Sequence, residues 1–366
     1  MLEIKSDIFR ELQVHLDQMP IGYPETESGV EIRLLKNLFT PEEAYIATKL
    51  DFMPKKLTQI YRKLKNDNIS IEELEEKLLK MHEKGTINVG KDNEENIYAN
   101  APLAVGMYEY QLGRLTPDLV KNIDQYFEEA FVEEFNKTGI PQVRVIPIEE
   151  SVSFDTPIAT YDQIREIIMK TSNTIGIMDC ICRNAHDLLD NPCKKTDVRE
   201  TCMTFGTAAW FYHNRGVARF VTKEEALELV KKFEDIGLVP QPSNSQKPSF
   251  ICNCCGCCCE ILKNQKKLEN PSQYFATNYN AEVDDSQCNG CGICEERCQM
   301  DAITIENECS NVNLSRCIGC GVCIPTCPND AIYLVKKEIN LIPPVDTRAT
   351  YTAIMNKKAE LAQRNG

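Results

Sequence analysis

The sequence predicts an α+β, multidomain protein. It divides into a helical module over residues 1–100, a small mixed cysteine-rich domain over 101–262, a doubled domain over 280–337 and a tail with a helix over 338–366. Three observations predict this. Apolar residues recur at helical spacing through the first hundred positions. Helix-like and strand-like patterns then alternate. Near the C-terminus one cysteine-bearing stretch occurs twice, 29 residues apart. A chain of 366 residues, 42% apolar and 26% charged, is long enough for two or three domains with hydrophobic cores.

In the first module, residues 3–18 read as a short amphipathic helix, followed by Pro/Gly-punctuated chain over 20–29. Three helical patterns follow. Leu34, Leu35 and Leu38 begin one, and Pro41-Glu-Glu precedes another with Ala44, Ala47 and Leu50. Ser70-Ile-Glu-Glu is a capping start to a third, with Leu74, Leu78, Leu79 and Met81 on one face and Gly85 as its stop. Residues 86–99 are alternating and turn-rich, like a strand pair or wing. Helix–helix–helix–wing resembles a winged-helix module. Glu72, Glu73, Glu75 and Glu76 would face phosphates from the third helix, so docking or a structural role is favoured over DNA binding. The stretch GTINVGKD over 85–92 mimics a phosphate loop. Asp92 stands where a hydroxyl would hold magnesium and the loop follows a helix, so that reading is rejected.

In the second domain, residues 103–137 read as helical, with Tyr126, Phe127, Phe131 and Phe135 as core bulk. Residues 142–148 (QVRVIPI) alternate like a strand. Residues 161–170 read as helix and 174–178 as a buried strand leading into the first cysteines. Residues 203–213 and 223–236 read as helices, with Trp210, Phe211 and Tyr212 as core packing. Residues 260–280 read as a polar linker ending near Pro271, and 349–363 as a final helix.

The strongest signal is the repeat. SQCNGCGICEERCQMDAITI begins at Ser286 and SRCIGCGVCIPTCPNDAIYL at Ser315. Ten positions are identical, and among them Cys288, Cys291, Cys294 and Cys298 recur as Cys317, Cys320, Cys323 and Cys327. The C-x-x-C-x-x-C loop wraps three corners of an iron–sulfur cubane, and a fourth thiolate must come from elsewhere. Paired zinc ribbons, built from separated C-x-x-C knuckles, do not fit this pattern. Over about 280–337 the chain resembles the bacterial two-cluster [4Fe–4S] ferredoxins, which implies a ferredoxin-like dicluster domain. The resemblance implies that Cys288, Cys291, Cys294 and Cys327 hold one [4Fe–4S] cluster, and Cys317, Cys320, Cys323 and Cys298 the other. Both would be one-electron, low-potential carriers. Gly290, Gly292, Gly319 and Gly321 allow the tight loops and turn N–H groups toward the sulfurs. One departure stands out. Pro328 follows Cys327 as the family pattern expects, whereas Gln299 follows Cys298.

Eleven cysteines remain. Cys309 has no local partner and reads as a buried apolar thiol. The others are Cys180, Cys182, Cys193 and Cys202, and the octet CNCCGCCC with Cys252, Cys254, Cys255, Cys257, Cys258 and Cys259. In extended chain, Cys254 and Cys255 diverge, as do Cys257, Cys258 and Cys259. One cubane has four iron corners and cannot consume six terminal thiols. The octet therefore serves two sites or leaves thiols free. These ten are candidate ligands of one or two further iron–sulfur clusters. The first group holds a cluster alone or shares ligands with the octet. Structural zinc and redox-switching thiols stay open as alternatives. Arg183 could offset cluster charge, and His186 and His213 are candidate donors to the sulfurs, whereas His15 and His82 read as surface or core filler. Residues 142–262 also resemble a cysteine-rich domain that accompanies ferredoxin modules in anaerobes, through Cys180-Ile-Cys-Arg183, Cys193, Cys202, residues 204–213, residues 224–227 and the octet. That resemblance implies an electron-transfer context and names no substrate.

The net charge of −14 opposes nucleic-acid binding and suits an acidic carrier steered to basic partners. The charged N-terminal stretch does not read as a signal peptide, and no apolar run suits a membrane span, so the expected location is cytoplasmic. There 19 cysteines read as metal ligands rather than disulfides. Three functions fit. The first is an electron carrier relaying single low-potential electrons between a cytoplasmic donor and a redox enzyme, with redox proteins as partners. The second is an oxidoreductase subunit with a catalytic cluster in 180–259. The third is a redox-sensing regulator. The lack of dinucleotide, phosphate-loop and nucleophile-elbow motifs favours the carrier over a stand-alone enzyme.

Overall fold

A computed structural model describes residues 7–152, 159–171 and 174–365. The chain falls into two units, Met1–Lys137 with Lys357–Gly366, and Thr138–Asn356. Residues 101–137, expected within the cysteine-rich domain, thus lie in the first unit.

The first unit is mainly helical. Its helices are α1 (Ile8–Asp17), α2 (Val30–Leu38), α3 (Pro41–Ala47), α4 (Leu57–Leu64) and α5 (Ile71–Lys84). Residues 3–6 of the expected first helix lie outside the described residues. Leu34, Leu35, Ala44, Ala47, Leu50, Leu74, Leu78 and Met81 are fully buried, as their spacing requires. Leu79 is not. It is 37% exposed, because it falls beyond the edge of the α5 stripe. Thr40–Glu43 and Ser70–Glu73 form reciprocal capping boxes, and Gly85, at φ 81°, ends α5. Helix α4 was not expected; only Ile60 and Leu64 are buried along it, too few to mark a period. Strands β2 (Ile87–Asp92) and β3 (Glu95–Asn100) form the hairpin read from the turn-rich segment, and β1 (Lys55–Lys56) pairs with β3. Residues 103–116 do not form a continuous helix. Val105 has φ 52°, and Thr116 caps a fresh start at Pro117. From there α6 (Pro117–Tyr126) runs through a π-type turn into α7 (Val132–Asn136), burying Tyr126, Phe127, Phe131 and Phe135.

The second unit is built on a five-stranded antiparallel sheet, ordered β6-β4-β5-β8-β7. The strands are β4 (Ile175–Asp179), β5 (Glu200–Phe205), β6 (Ala218–Val221), β7 (Val239–Pro242) and β8 (Phe250–Cys254). Between them run α8 (Ile164–Lys170), α9 (Ile181–Leu188), α10 (Thr207–Asn214), α11 (Lys223–Ile236) and, after β8, α12 (Glu260–Gln265). The expected helix over 203–213 therefore begins as strand and is helical only from Thr207. Residues 203–205 are the buried end of β5, and Gly206, at φ 56°, turns the chain into α10. Trp210 is 51% exposed and packs on Phe220 at the surface, so it is not core. Residues 142–148 are buried and extended but form no strand. Their N–H groups alternate between neighbours, Arg144 to Pro242 O, Val145 to Ala276 O and Ile148 to Cys320 O, so no ladder develops. Nor are residues 260–280 a solvated linker, since Leu262 and Phe275 are buried in the core.

The doubled segment follows. Strand β9 (Tyr279–Val283) pairs with β12 (Ile332–Lys336), and β10 (Ile303–Glu306) with β11 (Cys309–Val312); α13 (Ile293–Arg297) lies in the first loop. The final helix is α14 (Thr347–Asn365). Among the described residues, no helix is long and apolar enough to cross a membrane.

Candidate metal centres

The 29-residue repeat is also a repeat of backbone contacts. Gly290 and Gly319 adopt φ 66° and 64°. A Cβ on either would strike a carbonyl, that of Glu308 or of Tyr279, and these two residues are themselves one repeat apart. The strands donate across the pseudo-symmetry. Ser310 N–H reaches the Cys288 sulfur at 3.3 Å, and Ala281 N–H reaches that of Cys317 at 3.4 Å. Ala302 and Ala331 N–H groups reach Cys298 and Cys327 at 3.2 and 3.3 Å. Such donors stabilise thiolates, and the N–H groups of Gly290 and Ser310 bring Cys288 down to about 7.

Cys288, Cys291, Cys294 and Cys327 line one pocket, with Val283, Ser310 and Ile332 among its walls. Cys291 is exposed at its mouth. Cys298, Cys317, Cys320 and Cys323 gather further inside. Burial, and then the charges of its three companions, push Cys323 up. Cys327 of the second repeat thus stands with three thiols of the first, and Cys298 of the first with three thiols of the second.

The ten upstream thiols sort differently from their order in sequence. In β8, Cys252 and Cys254 pack into one core, and Cys255, the residue just after the strand, into the other, as period two requires. The chain then leaves the strand and turns at Gly256. Cys257 and Cys258 therefore do not diverge as extended chain would; their sulfurs are 3.6 Å apart. Cys193, from the loop after α9, lies 3.6 Å from Cys255 and 3.7 Å from Cys257. All four of these sulfurs lie within 4.8 Å of one another.

The other six close a ring. Cys180 adjoins Cys182 and Cys202. Cys202 adjoins Cys252, its partner across the β5–β8 register. Cys252 adjoins Cys254, which adjoins Cys259, which returns to Cys182. The octet thus gives three thiols to each set. Cys180 and Cys259 are the N-cap residues of α9 and α12, where the helix dipole favours a thiolate. Donation from neighbouring thiols, Cys182 and Cys202 to the first and Cys182 and Cys254 to the second, holds both well below the usual thiol range.

Arg183 is fully buried and serves both sets. It donates to Thr201 Oγ1 and, at 3.2 Å, to Asn253 O. Its Nε is buried without a partner. Burial alone would lower its pKa, but the charges of Cys180, Cys255 and Cys254 outweigh this and raise it. Gln241 Nε2 lies 3.8 Å from the Cys259 sulfur. Thr201, Asn253 and Gln241 were not read from the sequence, since the first two act by holding Arg183 from β5 and β8 and the third reaches Cys259 from β7. Gln299 carried a signal, its departure from proline. It is 3% exposed, accepts Gly256 N–H at 2.9 Å and donates to Gly237 O at 2.9 Å. It thereby ties the first repeat to the octet turn. A Cβ on Gly256 would strike the Gln299 carbonyl.

The histidines take other partners. His186 Nδ1–H donates to Asn191 O, and His213 donates to Ala218 O and stacks on Phe220, so both candidate donors take backbone partners instead of sulfur. Cys309 is half-buried rather than core. Its thiol donates to Asp285 at 3.3 Å, and desolvation and that carboxylate push it up to about 11.

Against protein families, residues 281–304 and 311–333 match the 4Fe-4S binding domain. The matched stretches contain Cys288, Cys291, Cys294 and Cys298, and Cys317, Cys320, Cys323 and Cys327. Comparison with curated proteins and with solved structures finds no match.

Proposed function

We propose that this chain is an iron–sulfur electron-transfer protein relaying single low-potential electrons between a cytoplasmic donor and a redox enzyme. One observation carries the reading: the thiol sites share cores in series. Cys294 and Cys327 of the surface site pack with Cys298, Cys317 and Cys323 of the second site in one apolar cluster. Cys298, Cys317 and Cys320 then pack with Cys252, Cys254 and Cys259 of the ring in another. Electrons would enter at the exposed Cys291 edge, cross to the inner site and reach the ring.

In this reading Cys288, Cys291, Cys294 and Cys327 hold one [4Fe–4S] cluster, and Cys317, Cys320, Cys323 and Cys298 the second. The ring of Cys180, Cys182, Cys202, Cys252, Cys254 and Cys259 holds a further polynuclear iron–sulfur cluster. Bound there, the clusters supply reversible one-electron storage; the chain supplies thiolates, N–H donors and the compensating charge of Arg183. Six thiols exceed the four corners of a cubane. A catalytic cluster needs an open iron instead, so the ring favours the relay over the oxidoreductase alternative.

Anaerobic purification with iron and acid-labile sulfide analysis tests this, together with EPR of the dithionite-reduced protein. We expect about 12 or more irons per chain and spin–spin broadening from adjacent reduced clusters. About eight irons would remove the ring from the relay, and a colourless, zinc-rich protein would end the proposal.

A further inference from the structure

The four-thiol set at the octet turn differs in size from the other sites. A zinc–thiolate bond of about 2.3 Å implies sulfurs about 3.8 Å apart at the corners of a tetrahedron. A cubane places an iron–sulfide core between its thiolates and holds them about 6 Å apart. Cys193, Cys255, Cys257 and Cys258 stand 3.6 to 3.7 Å apart along three edges, and no edge exceeds 4.8 Å. Among the described residues, no other group of three or more such ligands is this tight, neither in the doubled loops nor in the six-thiol ring.

We infer that Cys193, Cys255, Cys257 and Cys258 bind one tetrahedral divalent metal ion of the zinc class, not an iron–sulfur cluster. Cys255 and Cys258 have the C-x-x-C spacing of a metal knuckle. Gly256 makes the turn between them, and its N–H is already held by Gln299. The loop between α9 and β5 brings Cys193 to complete the tetrahedron. The buried Arg183, with its unpartnered Nε, offsets the charge of four thiolates around a dication. With four thiolates the coordination sphere is closed, which suits a structural site. Its work is to pin the octet turn, so that Cys254 and Cys259 on either side face the ring. The inference rests on sulfur spacing and is independent of the relay reading.

The test is made on full-length protein purified without oxygen. Zinc K-edge absorption of the wild type should give four sulfur neighbours at about 2.3 Å. The Cys193→Ser/Cys257→Ser variant should lose about one zinc per chain while iron and sulfide stay unchanged. Loss of a single iron without sulfide would equally support a mononuclear site. Loss of about four irons with matching sulfide would overturn the inference and leave the relay standing. If the variant does not fold, the wild type decides: no zinc, and no mononuclear tetrathiolate iron by EPR, refutes the site. Zinc at every site, with no iron, would sink the relay instead.

Discussion

Replacing Gln299 with alanine isolates what joins the doubled loops to the octet. Its amide satisfies two groups, Gly256 N–H and Gly237 O, both at 2.9 Å and both at a residue 3% exposed. Truncation leaves both without that partner. An orphaned buried polar group costs about 1–3 kcal/mol, and a carbonyl with a second lone pair sits at the low end, so the expected loss is about 2–4 kcal/mol. Anaerobic guanidinium titration, followed by far-UV circular dichroism and by visible cluster absorbance, should show the variant unfolding at lower denaturant by both probes. Gln299→Glu should be comparably damaging, because it keeps an acceptor for Gly256 but sets a carboxylate against the Gly237 carbonyl. A shift below about 0.5 kcal/mol in both variants would refute the bridge, being within the range of an ordinary surface change.

Three further outcomes are expected. Cys291→Ser should cost the surface site its cluster, or reduce it to three irons, while the metal held by the ten upstream thiols is unchanged; metal analysis and EPR spin counts read this. Arg183→Met removes the buried charge between the two upstream thiol sets. It should lower the reduction potential of the cluster proposed for the ring or empty the ring, and Arg183→Lys should rescue only in part, because one ammonium cannot span Thr201 and Asn253 as the guanidinium does. In the first unit, Glu134 accepts Gly22 N–H and pairs with Lys358 at 2.7 Å and Lys137 at 2.9 Å. Burial raises its carboxyl, but the two lysines outweigh that and hold it below the ordinary value. Its contribution is therefore full above the ordinary glutamate pKa and lost as pH falls through the lowered one. Glu134→Gln should cost about 1 kcal/mol at pH 7, allowing for the lysines' solvent screening, and should flatten the acid limb of melting temperature against pH.

The sequence alone determined the helices whose apolar stripes and caps are local, such as α5 from Ser70 to Gly85 and α11 up to Gly237. It also determined that the doubled cysteine loops form one repeated structure, because their spacing and glycines are constraints within a few residues. It underdetermined chain whose conformation depends on distant partners. Residues 142–148 look like a strand but share their hydrogen bonds among several neighbours, and β5 looks helical until the sheet closes over it. The same holds for the ten upstream thiols. Arithmetic on CNCCGCCC says that two sites must share it, and period two separates Cys254 from Cys255. Only the tertiary structure decided that Cys193 leaves its sequence neighbours to join Cys255, Cys257 and Cys258, and that Cys180, Cys182 and Cys202 close a ring with the rest. The physical reason is register. The β5–β8 pairing sets Cys202 opposite Cys252 and the turn at Gly256 folds the octet back, and both depend on contacts some fifty residues apart that no local pattern encodes.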